Sequence, residues 1–204
     1  DIPNTGTLTV NVGAGHAGNT MIGPITGNGP LVKNGDGTLE LTGTNTFTGS
    51  ATVNGGTVYL NGGTNTLPDA IDVSLTNNST LRLDDNETID SLQGSATTTV
   101  QLGSDRLTLG GATMASSFDG LLTGATGSLV KNGSNSLALS GQSTFGGGTT
   151  LNAGTLIIGG SSVNTAGPLG SGVLTISGGS LAVNGADRSL NNNVIINTPT
   201  FSFT

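Results

Sequence analysis

The sequence predicts an all-β chain wound as a parallel β-solenoid of roughly eight to ten rungs. Three observations carry this. A stretch of the chain is stated twice at an offset of 98 residues. Short apolar–x–apolar pairs recur along the whole length, with 19 residues from Leu39 to Val58 and 19 from Leu137 to Leu156. The composition, with 36 glycines, 8% charged residues and 3% aromatics, suits a thin repetitive core better than a thick two-layer one.

Internal periodicity sets the architecture. Residues 29–62 read GPLVKNGDGTLELTGTNTFTGSATVNGGTVYLNG, and residues 127–160 read GSLVKNGSNSLALSGQSTFGGGTTLNAGTLIIGG. Leu31, Lys33, Asn34 and Gly35 meet Leu129, Lys131, Asn132 and Gly133. Phe47, Gly49, Asn54 and Gly56 meet Phe145, Gly147, Asn152 and Gly154. Two repeat units of about 100 residues are expected, about 5–103 and 104–204, forming one continuous β-helix over 1–204.

The elements follow in order. Thr7–Val12 reads as a repeat-like strand. Apolar pairs then stand at Leu39/Leu41, Val58/Leu60, Leu81/Leu83, Val100/Leu102 and Leu107/Leu109. They continue at Leu137/Leu139, Leu156/Ile158, Leu181/Val183 and Val194/Ile196. Period-two alternation over a few residues signals a strand, and the glycine density disfavours helix. Each pair is expected above the last, so that inward side chains form ladders about 4.8 Å apart. The axis is then on the order of 40–50 Å long. Corners fall at Asn34-Gly35, Asn54-Gly55-Gly56, Asn132-Gly133 and Asn152-Ala153-Gly154, where Asn and Gly accept left-handed backbone cheaply. Phe47 and Phe145 are expected to point inward as plugs. Lys33 and Lys131 are expected to point to solvent, where a charged edge discourages strand addition.

The run L-x-K-x-G-x-x-x-L-x-L-x-G-x-x-x-F-x-G-x-x-T-x-N-x-G-T-L, present from Leu31 to Val58 and from Leu129 to Leu156, resembles the passenger-associated transport repeat of autotransporter proteins. This is also described as the autotransporter-associated β-strand repeat. The segment Gln101–Gly124 resembles linking segments of such passengers. The resemblance implies a right-handed, three-faced parallel β-helix in a secreted or surface-attached bacterial passenger. It also implies an export barrel elsewhere in the parent chain. The first copy departs with Val58 where Leu is usual, and the second with Ser134-Asn135-Ser136 in the turn.

Charge and composition bound the function. The net charge of −7 and five dispersed Lys and Arg leave no basic stripe for nucleic acid or anionic membranes. Absence of Cys removes disulfides and thiolate metal sites. No apolar run reaches the roughly 18 residues of a membrane span, and no signal peptide opens the chain. The sequence therefore reads as an excised or processed segment whose targeting information lies elsewhere, and no membrane insertion of this segment is expected.

Chemistry-bearing residues are few. His16 is the sole histidine, in a small-residue turn, and a Ser–His–Asp triad would need it. Asp84, Asp85, Glu87 and Asp90 form the one acidic cluster. It reads as a solvated turn first, and as a weak Ca²⁺ candidate second, since calcium needs several hard oxygen ligands. No catalytic residue and no cofactor is expected. The expected role is a non-catalytic structural or adhesive segment, a rigid stalk that folds progressively and aids export. Itself, a host surface or glycans are the partners considered. The alternatives are a β-helical carbohydrate lyase or hydrolase, or a glycan- or ice-binding module using outward Thr and Asn ladders.

Overall fold

The computed structural model describes residues 1–15, 20–111 and 114–203. His16 lies outside the described residues. The described residues hold strands and turns and no helix, and every pair of named strands is parallel. The chain is a β-solenoid of about nine turns with three faces.

Face 1 is an unbroken ladder of ten strands. It runs through Leu8–Asn11, Leu31–Asn34, Ala51–Asn54, Asp72–Leu75 and Ser91–Gly94. It continues through Ser116–Phe118, Ser136–Leu139, Thr155–Ile158, Ser180–Val183 and Ser202–Phe203. Face 2 stacks six strands, Thr20–Ile22, Thr38–Leu41, Thr57–Leu60, Thr80–Leu83, Thr99–Gln101 and Leu121–Thr123. Face 3 stacks another six, Glu87–Ile89, Arg106–Leu109, Ser128–Lys131, Thr149–Leu151, Leu174–Ile176 and Val194–Ile196. The two strands Ile2–Asn4 and Ile25–Gly27 pair at the start of face 3.

Apolar residues at alternate positions build the core. On face 1 one ladder runs Leu8, Leu31, Ala51, Val73 and Leu92. Later on that face it runs Leu137, Leu156 and Leu181. On face 2 the pairs Leu39/Leu41, Val58/Leu60 and Leu81/Leu83 stack in register, as their spacing requires. All six of those side chains are buried. Phe47 and Phe145 are both fully buried plugs. Gly35, Gly56 and Gly154 turn the corners with φ of 80°, 61° and 73°. Gly94 makes room of another kind, because a Cβ there would stand 2.4 Å from the Phe118 ring on the next rung.

Faces 2 and 3 each lose their strands over part of the length. Residues 45–48 and 65–67 run irregularly on face 3, joined by Thr46 N–H to Ile25 O at 2.8 Å and Asn45 N–H to Thr66 O at 3.2 Å. In the second half the irregular face is face 2, where Thr144 N–H reaches Leu122 O at 3.0 Å and Ser171 N–H reaches Phe145 O at 2.9 Å. Phe47 thus plugs face 3 and Phe145 plugs face 2. The two copies of the repeat are rotated by one face. The strand at Leu31 lies on face 1, and its counterpart at Leu129 lies on face 3. The strand 116–118 is four rungs above 31–34 on the same face, and the chain crosses two more faces before it reaches Leu129. The offset of 98 residues therefore spans four turns and two further faces, not a whole number of turns.

Two expectations are corrected. Lys33 and Lys131 do not point to solvent; both are buried. Val183, Val194 and Ile196, expected in core pairs, are about half exposed, because little of the chain stacks above the last rungs.

Candidate functional site

Three charged side chains occupy inward positions in the ladders, and each holds backbone that a regular sheet would have satisfied. Lys33 stands between Val10 and Val53 on face 1. Its stem lies along the core and its amine turns to the corner. There Nζ donates to Gly35 O at 2.5 Å, to Gly55 O at 2.8 Å and, at 3.4 Å, to Asn34 O. Gly55 belongs to the next rung, so one ammonium ties two successive corners. Lys131 is buried likewise on face 3 between Leu109 and Leu151, and donates to Gly133 O at its own corner. Long cationic side chains bury their stems while the head seeks acceptors. Burial lowers the pKa of both amines, opposed by the charge of Asp36 at Lys33 and of Asp90 at Lys131.

Glu87 is the third. It heads the face 3 ladder Glu87, Leu107, Leu129 and Thr149. Its carboxyl accepts the N–H groups of Thr66 at 3.0 Å and Leu67 at 3.2 Å from the strandless rung below. Burial pushes its pKa up to about 8, against the lowering effect of the backbone N–H groups of Leu67, Thr66 and Thr88. Neutral side chains do similar work elsewhere. Asn45 Oδ1 accepts Ile25 N–H at 2.8 Å, and Ser143 Oγ, at the matching place in the second copy, accepts Leu122 N–H at 3.0 Å.

The acidic cluster divides between surface and interior. Asp84 and Asp85 are exposed, whereas Glu87 and Asp90 are buried. Among the described residues no group of three or more His, Cys, Asp or Glu side chains could hold a metal ion. Burial first, then Asp85 and Asp84, raises the pKa of Asp105, which places that residue beside the surface pair. Sequence reasoning missed Asp105 because it is remote in sequence from Asp84 and adjacent only through the stacking of rungs.

Polar ladders run along successive corners, after face 1 strands in the first copy and after face 3 strands in the second. Asn34 Nδ2 donates to Asn11 Oδ1 at 3.0 Å, Asn54 Nδ2 donates to Asn34 Oδ1 at 3.0 Å, and Thr76 Oγ1 donates to Asn54 Oδ1 at 2.9 Å. In the second copy Asn152 Nδ2 donates to Asn132 Oδ1 at 2.7 Å. These amides are spent on one another along the axis.

The functional residues of the repeat are thus the buried lysine, the corner Asn-Gly and the phenylalanine plug. The Passenger-associated-transport-repeat family matches residues 31–60 and 129–158, the two stretches that carry these features. The chain carries two passenger-associated-transport-repeats. No curated protein and no solved structure matches the chain. The passenger-associated-transport-repeats and the β-solenoid together fit a segment of an autotransporter passenger, and the repeat family implies a secreted or surface-exposed location. No helix among the described residues is long and apolar enough to cross a membrane.

Proposed function

We propose that the chain is a non-catalytic structural segment of a surface-displayed or secreted autotransporter passenger. It acts as a rigid stalk, serves adhesion or self-association, and aids export by folding rung upon rung. The observation that carries this reading is the placement of both transport repeats on one uninterrupted ten-strand ladder. Each added coil gains ladder hydrogen bonds and apolar burial from its neighbour, so folding propagates along the axis. The buried Lys33 fastens the corners of two successive rungs, which favours retention of what has already folded.

The test places the chain between a secretion signal and an export barrel and follows its appearance at the cell surface. Leu137 and Leu139 lie in the face 1 core, fully or almost fully buried. Leu137→Asp sets an unpaired charge there, a change that costs several kcal/mol in a core. Slower surface display of Leu137→Asp, together with loss of the folded rungs in the purified chain, is expected. Surface display at the wild-type rate from a variant that does not fold in vitro would remove the export role.

A further inference from the structure

The outward side of face 2 carries a stacked tyrosine–arginine pair. On face 3 the outward row reads Thr88, Thr108, Val130, Thr150, Thr175 and Ile195. On face 2 one outward column reads Glu40, Tyr59, Arg82 and Gln101 on consecutive rungs. The column beside it reads Thr38, Thr57, Thr80 and Thr99. The chain's single tyrosine and one of its five basic residues meet here in a molecule with only 8% charged residues.

The column is braced across rungs. The Arg82 guanidinium lies 4.3 Å from the centroid of the Tyr59 ring. The Tyr59 hydroxyl bonds to Asp84, the main reason its pKa is raised. Asn61 Nδ2 donates to Glu40 Oε1 at 2.6 Å. Stacking fixes the plane of the guanidinium, which reduces what an arginine side chain loses on binding. Arg82 and Gln101 are exposed, and neither side chain hydrogen-bonds to another described residue. This contrasts with the corner asparagines, whose amides bond to one another.

We infer that the strip from Tyr59 to Gln101 binds a neutral polysaccharide chain lying along the solenoid axis. A fixed guanidinium fork and a primary amide match the paired hydroxyls of a sugar ring, and the threonine column offers hydroxyls at every rung. The charge around the strip selects the class. Asp84, Asp85 and Asp105 stand together at its corner, so a sulfated or carboxylated polymer meets like charge. The inference rests on the passenger reading for its setting at the cell surface; the binding itself concerns the isolated chain.

The experiment uses the full 204-residue chain in calorimetric titrations with cellohexaose and maltohexaose as neutral probes, and with dextran sulfate as the anionic counterpart. Saturable binding of a neutral hexaose is expected. Arg82→Ala is expected to weaken it about tenfold or more, the effect of losing hydrogen bonds from a charged donor. Gln101→Ala weakens it less, and Thr108→Ala on face 3 leaves it unchanged. Far-ultraviolet circular dichroism checks that each variant is folded; should Arg82→Ala unfold, Gln101→Ala and Thr80→Ala decide. Failure of both hexaoses to bind, equal weakening by Thr108→Ala, or preference for dextran sulfate would each overturn the inference. Surface display in the export experiment would be untouched by any of these results, so the two readings fail separately.

Discussion

The lysine of the repeat shows how one residue departs from its expected surface role. Lys33 and Lys131 were expected outside because lysine is almost never fully buried without a partner. Their partners are backbone carbonyls of glycine corners, which sequence does not display as acceptors. A signal was nevertheless present. Leu31 and Lys33, like Leu129 and Lys131, are two residues apart, and alternation places both on one side of the strand. Lys33→Ala removes a packed stem and leaves corner carbonyls without their donor. A loss of about 2–4 kcal/mol is expected in urea unfolding. A surface lysine would change stability by less than about 0.5 kcal/mol, and a value in that range would contradict the latch.

A rung keeps its place without a strand where a side chain from the next rung holds its backbone. Residues 65–67 make few ladder bonds of their own on face 3, and the Glu87 carboxyl takes two of their N–H groups. That seam gives a pH dependence with a definite sign. The pKa of Glu87 rises from 4.5 to about 8 in the fold. Between those values the folded chain keeps a proton that the unfolded chain releases. Glu87 therefore makes stability fall as pH rises from about 4.5 to about 8, with a limiting slope on the order of 1.4 kcal/mol per unit. Urea midpoints across this range should drop for the wild type and vary less for Glu87→Gln. Equal pH profiles for the two proteins would show that Glu87 is not the group that titrates. Among the apolar–x–apolar pairs, Leu39/Leu41 stacks in register with Val58/Leu60 and Leu137/Leu139 with Leu156/Ile158, whereas Val100/Leu102, Leu107/Leu109 and Leu137/Leu139 begin on or lie on different faces. The strands themselves were legible from these pairs. The irregular rungs were not. Thr-Asn-Thr-Phe at 44–47 gives no period, and its path is set by inward Asn45 and Phe47 packing against neighbouring rungs.

For the whole molecule, the repeat predicted the solenoid but not its phase. Residue spacing alone cannot separate a whole number of turns from four turns and two faces, since corners and irregular rungs take variable lengths of chain. The rotation has a consequence: the plugged face is face 3 in the first half and face 2 in the second. Face 2 therefore presents a flat ladder of strands only up to Leu121–Thr123, and the strip from Tyr59 to Gln101 lies within it. The outward columns there follow from register, which a reader of the sequence has only after choosing the rungs to align.

In-register parallel stacking of successive rungs is the claim on which the lysine latch, the seam and the strip all depend. Cysteine cross-linking tests it directly, because the chain has no cysteine of its own. Thr57 and Thr80 are register partners on neighbouring rungs of face 2, and Thr99 is one rung further. A disulfide needs Cα atoms within about 7 Å, a reach that spans one rung of about 4.8 Å but not two. Oxidation should close the Thr57→Cys/Thr80→Cys pair in the folded chain and leave the Thr57→Cys/Thr99→Cys pair open. Closure of the second pair with the first left open would contradict the stacking and everything built on it.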